Sequence, residues 1–221
     1  MWLHLLTAGS ATLLAGDGEA RFTVSTDYPW DSTVTVRVAP DAPREFTLRL
    51  PVPRWCGEWS LTVAGASADI EEHDGYLVLA RTWLPGDTVV LDLAMPVRLT
   101  RAHPRVLADQ GRVALERGPL VYCLESADNA ADVWDVTLDG DGSWTPVFEP
   151  GPLGGTVVLE GTAHIPDASD ALGDDGAAEP LYAPFTATGT GTRGEVAVRA
   201  VPYALWANRD AGPMILWMGL S

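Results

Sequence analysis

The 221 residues contain no lysine; all 14 basic side chains are arginine, set against 30 acidic ones for a formal net charge of −16. A chain so short of cations cannot build the basic stripe that neutralises phosphate, which excludes nucleic-acid binding. The same charge disfavours adsorption on an anionic membrane. Long hydrophobic runs are missing too: no window holds the ~18 successive apolar residues of a spanning helix. The first ten residues, Met-Trp-Leu-His-Leu-Leu-Thr-Ala-Gly-Ser, have no basic stretch ahead of the apolar one, and His4 interrupts it, so no export signal is read there. The expectation is a soluble chain, cytoplasmic by default. Cysteine is scarce. Cys56 and Cys123 allow a single disulfide, and the favoured expectation is two small buried hydrophobes.

A helical period is also lacking, and what is there has period two. Arg21–Thr26, Thr33–Val38 and Glu45–Leu50 each place Phe, Val or Leu on one face and Arg, Thr, Ser or Glu on the other. Further strands are expected at 59–63, 76–83, 88–94, 112–116, 120–125, 156–164, 195–201 and 214–218. Gly118-Pro119 hinges the pair at 112–125, while Asp74-Gly75, Pro85-Gly86 and Gly140-Asp141-Gly142 supply other turns. The fold class is all-β, with two antiparallel β-sandwich domains in tandem. The polar, proline-interrupted stretch near 99–110 places them at 1–100 and 101–221. The acidic, small-residue stretches 126–143 and 166–182 are expected to be surface loops of the second domain.

Catalytic arrays are hard to find. Among 30 acidic residues, neighbours such as Glu71-Glu72 and Asp174-Asp175 arise by accident, and adjacent strand residues point to opposite faces. His4, His73, His103 and His164 stand apart, and neither cysteine has a partner at ligand spacing, so no zinc site is read. Asp139-Gly140-Asp141-Gly142-Ser143 hints at a calcium loop, yet Trp144 and Pro150 fall where an EF-hand needs Gly and Glu; a hairpin turn is the simpler reading. Neither a Gly-x-Ser-x-Gly elbow nor a phosphate-binding glycine loop occurs. Nine tryptophans leave two readings open. Tyr28, Trp30, Trp55, Trp59, Trp134 and Trp144 make a sugar-stacking platform, or they fill cores and seams.

Six segments occur in a fixed order: Thr26–Asp31, Leu48–Trp55, Gly75–Asp87, Met95–Arg98, Gly111–Glu125, and Pro202-Tyr203 with Trp206-Ala207-Asn208-Arg209. This series resembles the C-terminal part of glycoside hydrolase family 127, the β-L-arabinofuranosidase family, over essentially the whole chain. The resemblance implies a parent with an N-terminal helical (α/α) barrel followed by two β-sandwich domains. It also implies that the nucleophile is a cysteine held on zinc by further Cys and Glu ligands within that barrel, close to a Cys-Cys-Pro-Pro-Asn-like stretch. No such stretch occurs here; Cys123 matches a sandwich-strand position. Catalytic, metal and cofactor residues are therefore expected to be none in this chain, with zinc only in the absent barrel. Met1–Leu5 matches the strand that follows the barrel, so the chain is expected to begin in mid-protein.

The expected role is a non-catalytic accessory region that packs on the barrel of an enzyme hydrolysing terminal β-L-arabinofuranosides. Its partners would be that barrel and, at one remove, plant-type arabinose-containing glycans. Tyr28, Trp30, Arg117, Trp206, Asn208 and Arg209 are the candidate barrel-interface or glycan contacts; Arg117 and Arg209 read equally as intradomain strand-end arginines. Two other readings stay open. One is a free-standing carbohydrate-binding module using exposed Trp and Tyr, and the other an enzyme with a carboxylate pair in the second domain.

Overall fold

The computed structural model describes residues 1–68, 70–151, 155–166 and 193–221. Among them the chain is all-β, with no α-helix, in two compact units, Met1–Pro96 and Val97–Ser221. No helix is long and apolar enough to cross a membrane among the described residues.

In the first unit, strands β1 (Gly9–Ala15), β2 (Gly18–Thr26), β3 (Thr33–Pro40), β5 (Trp59–Val63), β6 (Ala66–Ser67) and β9 (Asp87–Leu93) form a sheet in the order β1-β2-β3-β9-β5-β6. A smaller sheet orders β4 (Arg44–Pro51), β8 (Tyr76–Trp83) and β7 (Glu72–His73). The period-two sequence sets which sheet face is buried. Val34, Val36 and Val38 of β3 alternate with Thr and Arg, and lie opposite Leu91, Val89 and Asp87 of β9. Leu48, Leu50, Leu77, Leu79 and Trp83 supply the facing layer, and all join one hydrophobic core. Met1–Leu3 runs beside β4: Leu3 N–H donates to Arg49 O, Arg49 N–H donates to Met1 O, and Trp2 bridges Arg49 in parallel. The strand expected over Met1–Leu5 is thus a single bridge.

The second unit holds β10 (Val97–Arg101), β11 (Arg112–Arg117), β12 (Leu120–Glu125), β13 (Thr137–Leu138), β14 (Trp144–Glu149), β15 (Thr156–Pro166), β16 (Arg193–Pro202), β17 (Met214–Ile215) and β18 (Trp217–Leu220). They form one nine-stranded sheet, antiparallel except where β13 and β18 run parallel. Its pairings close a circuit, β11-β18-β13-β15-β16-β12 and back to β11, so six strands make a barrel where separate sandwich layers were expected. Closure follows from partner switching along single strands. β11 pairs with β18 through Arg112–Ala114 and with β12 through Leu115–Arg117. β12 in turn passes from β11 to β16 and then to β17.

Leu115, Tyr122, Leu124, Leu138, Leu159, Ala200 and Met218 fill the interior. A second cluster, Cys123, Val158 and Val201, lies on the opposite face of β12, β15 and β16, packed by Val147 of β14 and Met214 of β17. Part of each of these strands is therefore buried on both faces, and in β12 this explains the apolar run Leu120–Leu124. Gly118 takes φ +56° in the two-residue hairpin between Arg117 and Leu120. Gly161 on β15 admits the Trp144 ring, since a Cβ there would sit 2.8 Å from it. Residues 126–143, expected as a surface loop, bury Val133, Val136 and Leu138 and include β13. The other expected loop, 166–182, falls outside the described residues except for Pro166 at the end of β15.

Candidate functional site

The aromatic residues of the first unit sort into packed and exposed. Tyr28 stacks on Trp55 with centroids 6.4 Å apart at 20°, and both pack against the core with Trp59. Burial holds the Tyr28 hydroxyl above its ordinary pKa, a hydrogen bond with Trp55 working the other way. Trp30 is half-buried, its N–H donating to Asp27 O at 2.8 Å. Tyr28 and Trp30 thus lie at the corner between β2 and β3, each part-exposed. The exposed apolar groups lie elsewhere. Trp2 is 52% exposed beneath the Arg49 guanidinium, 4.5 Å from its ring centre, and Tyr76 meets it edge-on. Leu5, Leu13 and Leu14 are 70%, 47% and 78% exposed. Between this N-terminal segment and β1 runs an apolar groove of about 350 Å³, floored by Phe22, Val24, Val36 and Leu48.

In the second unit, Arg209 lies against Glu125 and Asp128, one guanidinium nitrogen on each carboxylate. Glu125 ends β12 with only 4% exposure, so its charge needs a cation and hydrogen bonds. Its other oxygen accepts from Ala207 N–H at 3.1 Å, holding Ala207 in the left-handed region at φ +62°. Arg199 pairs with Glu149, while Asn129 donates to the carbonyls of Glu125 and Arg199 at 2.8 and 3.0 Å. Arg209 is therefore an intradomain clasp for the segment after β16. Arg117 likewise turns inward, to the hydroxyl of Tyr122. Trp206 and Asn208 stay exposed on the same segment as the clasp. Tyr203, part of the ordered series above but not among the candidate contacts, stacks on Trp206 with centroids 5.9 Å apart at 9°.

The remaining candidates do not converge. Glu71, Glu72 and His73 are exposed on or beside the short β7, and Asp174 and Asp175 lie outside the described residues. Asp139 accepts from Ser221 Oγ at 2.6 Å and meets His164 Nε2 at 2.8 Å. The carboxylate is in the middle, so serine and histidine do not touch and a nucleophile–base pair is not formed. Gly142 N–H closes a turn onto Asp139 O at 3.1 Å. Among the described residues, no group of three or more His, Cys, Asp or Glu is placed to hold a metal.

Both cysteines are free thiols, so the disulfide that their count allowed is not formed. Cys56 donates to Glu58 O at 3.0 Å. Cys123 is fully buried, and desolvation, with Glu125 nearby, pushes its thiol up to about 12. The zinc-bound thiolate that the family resemblance implies does not fit these surroundings.

Desolvation likewise raises the fully buried Tyr122 to about 12. Unfolded chains ionise cysteine near ~8.5 and tyrosine near ~10. Above those values the unfolded state binds fewer protons than the folded one, so stability falls as pH rises through 9 to 12. Each group contributes a slope of up to about 1.4 kcal/mol per pH unit. Melting temperature is expected to drop more steeply between pH 9 and 11 than between 7 and 9, and Cys123→Ala with Tyr122→Phe is expected to flatten the drop.

The described residues thus form two antiparallel β units in sequence, the first with an exposed apolar edge. Comparison with known families then places the chain. The description "Beta-L-arabinofuranosidase, GH127 middle domain" matches residues 1–95, and "Glycoside hydrolase family 127 C-terminal domain" matches residues 97–219. The chain belongs to glycoside hydrolase family 127. A non-reducing end β-L-arabinofuranosidase of Bifidobacterium longum subsp. longum is 38% identical over 199 residues, which is 85% of this chain and 28% of that protein. A crystal structure of a GH127 β-L-arabinofuranosidase from Geobacillus stearothermophilus T6 superposes on the whole chain with TM-score 0.90 at 36% identity, using 33% of its own length. A further structure, described as a glycoside hydrolase, gives TM-score 0.84 at 31% identity over 36% of its length. The chain thus spans about a third of the length of these relatives.

Proposed function

We propose that this chain is the non-catalytic β portion of a family 127 glycoside hydrolase and that it packs on, and stabilises, a helical catalytic barrel preceding it in the full-length protein. The observation that carries this is the apolar edge of the first unit. β1 lies at the end of its sheet and is exposed from Gly9 to Leu14, with Leu13 and Leu14 pointing to opposite faces. An edge strand exposed in this way invites pairing or packing unless something covers it. Trp2 and Leu5 extend the same surface, and the groove of about 350 Å³ lies beneath. The missing two thirds of the relatives' length is the natural cover.

The parent reaction on this reading is hydrolysis of terminal β-L-arabinofuranosides, with nucleophile and zinc supplied by the barrel. This portion contributes stability and positioning. The chain is expected to release no chromophore from an aryl β-L-arabinofuranoside, with or without added zinc. Turnover above background, lost with a chelator, would sink the non-catalytic reading. One observation, the exposed Tyr203–Trp206 pair, favours a carbohydrate-binding role as well, and the two roles are compatible.

A further inference from the structure

The segment after β16 carries a feature that neither the core nor docking at β1 accounts for. Tyr203 and Trp206 lie nearly parallel, 9° apart in plane, yet remain 45% and 44% exposed. A short 3-10 turn fixes them, Trp206 N–H donating to Tyr203 O at 3.1 Å. Two large apolar ring systems are thus held rigid in water, at little conformational cost to a ligand that lies across them.

The same segment supplies Leu205, Asn208 and Arg209 to a cleft of about 90 Å³ that Thr156 and Arg199 also line. The Thr156 hydroxyl and Arg199 Nε are buried without a hydrogen-bond partner among the described residues. Such groups are costly to leave unsatisfied unless a bound molecule meets them. The charges around the cleft are already matched, Arg209 by Glu125 and Asp128, and Arg199 by Glu149. A neutral ligand rich in hydroxyls suits these surroundings better than an anion. At roughly 30 Å³ per water, the cleft holds about three waters, enough for a hydroxymethyl arm but not for a sugar chain. A sugar ring must then lie outside it, and Tyr203 and Trp206 flank Leu205 on the segment that lines the cleft.

We propose that Tyr203, Trp206, Asn208 and Thr156 form a glycan-binding site on the second unit for neutral, arabinose-containing oligosaccharides. One sugar stacks on the Tyr203–Trp206 faces while hydroxyls of its neighbour reach Asn208 and the Thr156 hydroxyl. The sugar class rests on membership in a glycoside hydrolase family; the place and chemistry of the site rest on the residues above.

The test is calorimetric titration of the 221-residue chain with oligosaccharides from arabinan and arabinogalactan, and with cello-oligosaccharides for comparison. Binding at millimolar Kd is expected, weakened at least about tenfold by Trp206→Ala and Tyr203→Ala and several-fold by Thr156→Val. Trp134→Ala, which removes another exposed tryptophan of the same unit, is expected to leave binding unchanged. Trp206 and Tyr203 are half-exposed, so the variants should melt with the parent, which separates lost binding from lost folding. Absence of heat with every oligosaccharide overturns the proposal, as does binding indifferent to Trp206→Ala. Should the N-terminal two thirds of the Geobacillus relative shield Trp206 from acrylamide quenching while no sugar does, the surface is a protein interface and the proposal fails. None of these failures touches the non-catalytic reading, which falls only to hydrolysis by the chain.

Discussion

Replacing Trp83 by alanine is expected to cost about 3–5 kcal/mol, as for other fully buried aromatic truncations. The Trp83 ring has no exposure, lies 5.7 Å from Phe46 at 22°, and its indole N–H donates to Phe46 O at 3.0 Å. Alanine leaves a cavity between the two sheets and strands that carbonyl. Trp83→Phe keeps most of the apolar contact and is expected to lose about 1–2 kcal/mol, chiefly the hydrogen bond. Urea unfolding measures both. Domains of this size have stabilities of about 5–15 kcal/mol, so the alanine variant takes a large share of the total. A Trp83→Ala chain within 1 kcal/mol of the parent would contradict the packing described.

Arg209→Ala is expected to be the second most damaging change, at about 3 kcal/mol. Removing one partner of a buried ion pair costs about 3–5 kcal/mol because the other charge is left behind, and the lower end applies to an arginine that is about a third exposed. Glu125 would remain buried with only Ala207 N–H in place of the guanidinium. Arg209→Met combined with Glu125→Gln removes both charges and is expected to recover more than half the loss. A double-mutant cycle read by thermal unfolding gives the coupling, and purely additive effects would show that the clasp is not a unit.

How much of this was legible in the sequence depends on how local the cause is. Strand β3 alternates strictly because one face meets the core and the other does not, and its position follows from that. β12 reads Leu-Val-Tyr-Cys-Leu-Glu without alternation, which signals burial on both faces. A glutamate closing such a run requires a cation, and with only 14 arginines in the chain its partner could have been sought among them. The partner is Arg209, 84 residues away, and nothing local names it. Barrel closure was invisible for the same reason, since it depends on where β11 and β12 change partners. The expected strand at 214–218 likewise divides, β17 pairing with β12 and β18 with β11 and β13. β14, which no expected strand covered, carries Pro146, and an edge strand tolerates it. β1 was missed because neither of its faces is buried here. On the proposed packing, its exposed Leu13-Leu14 pair meets a surface outside these residues.

That surface can be measured. In a chimera, the present chain replaces the matching third of the Geobacillus relative, and melting is compared with that of the relative's remaining N-terminal part alone. The proposed packing predicts that the N-terminal part melts several degrees higher in the chimera, with Leu13→Asp and Leu14→Asp together abolishing the gain. Equal melting with and without the chain, or a gain that survives both aspartates, would contradict it.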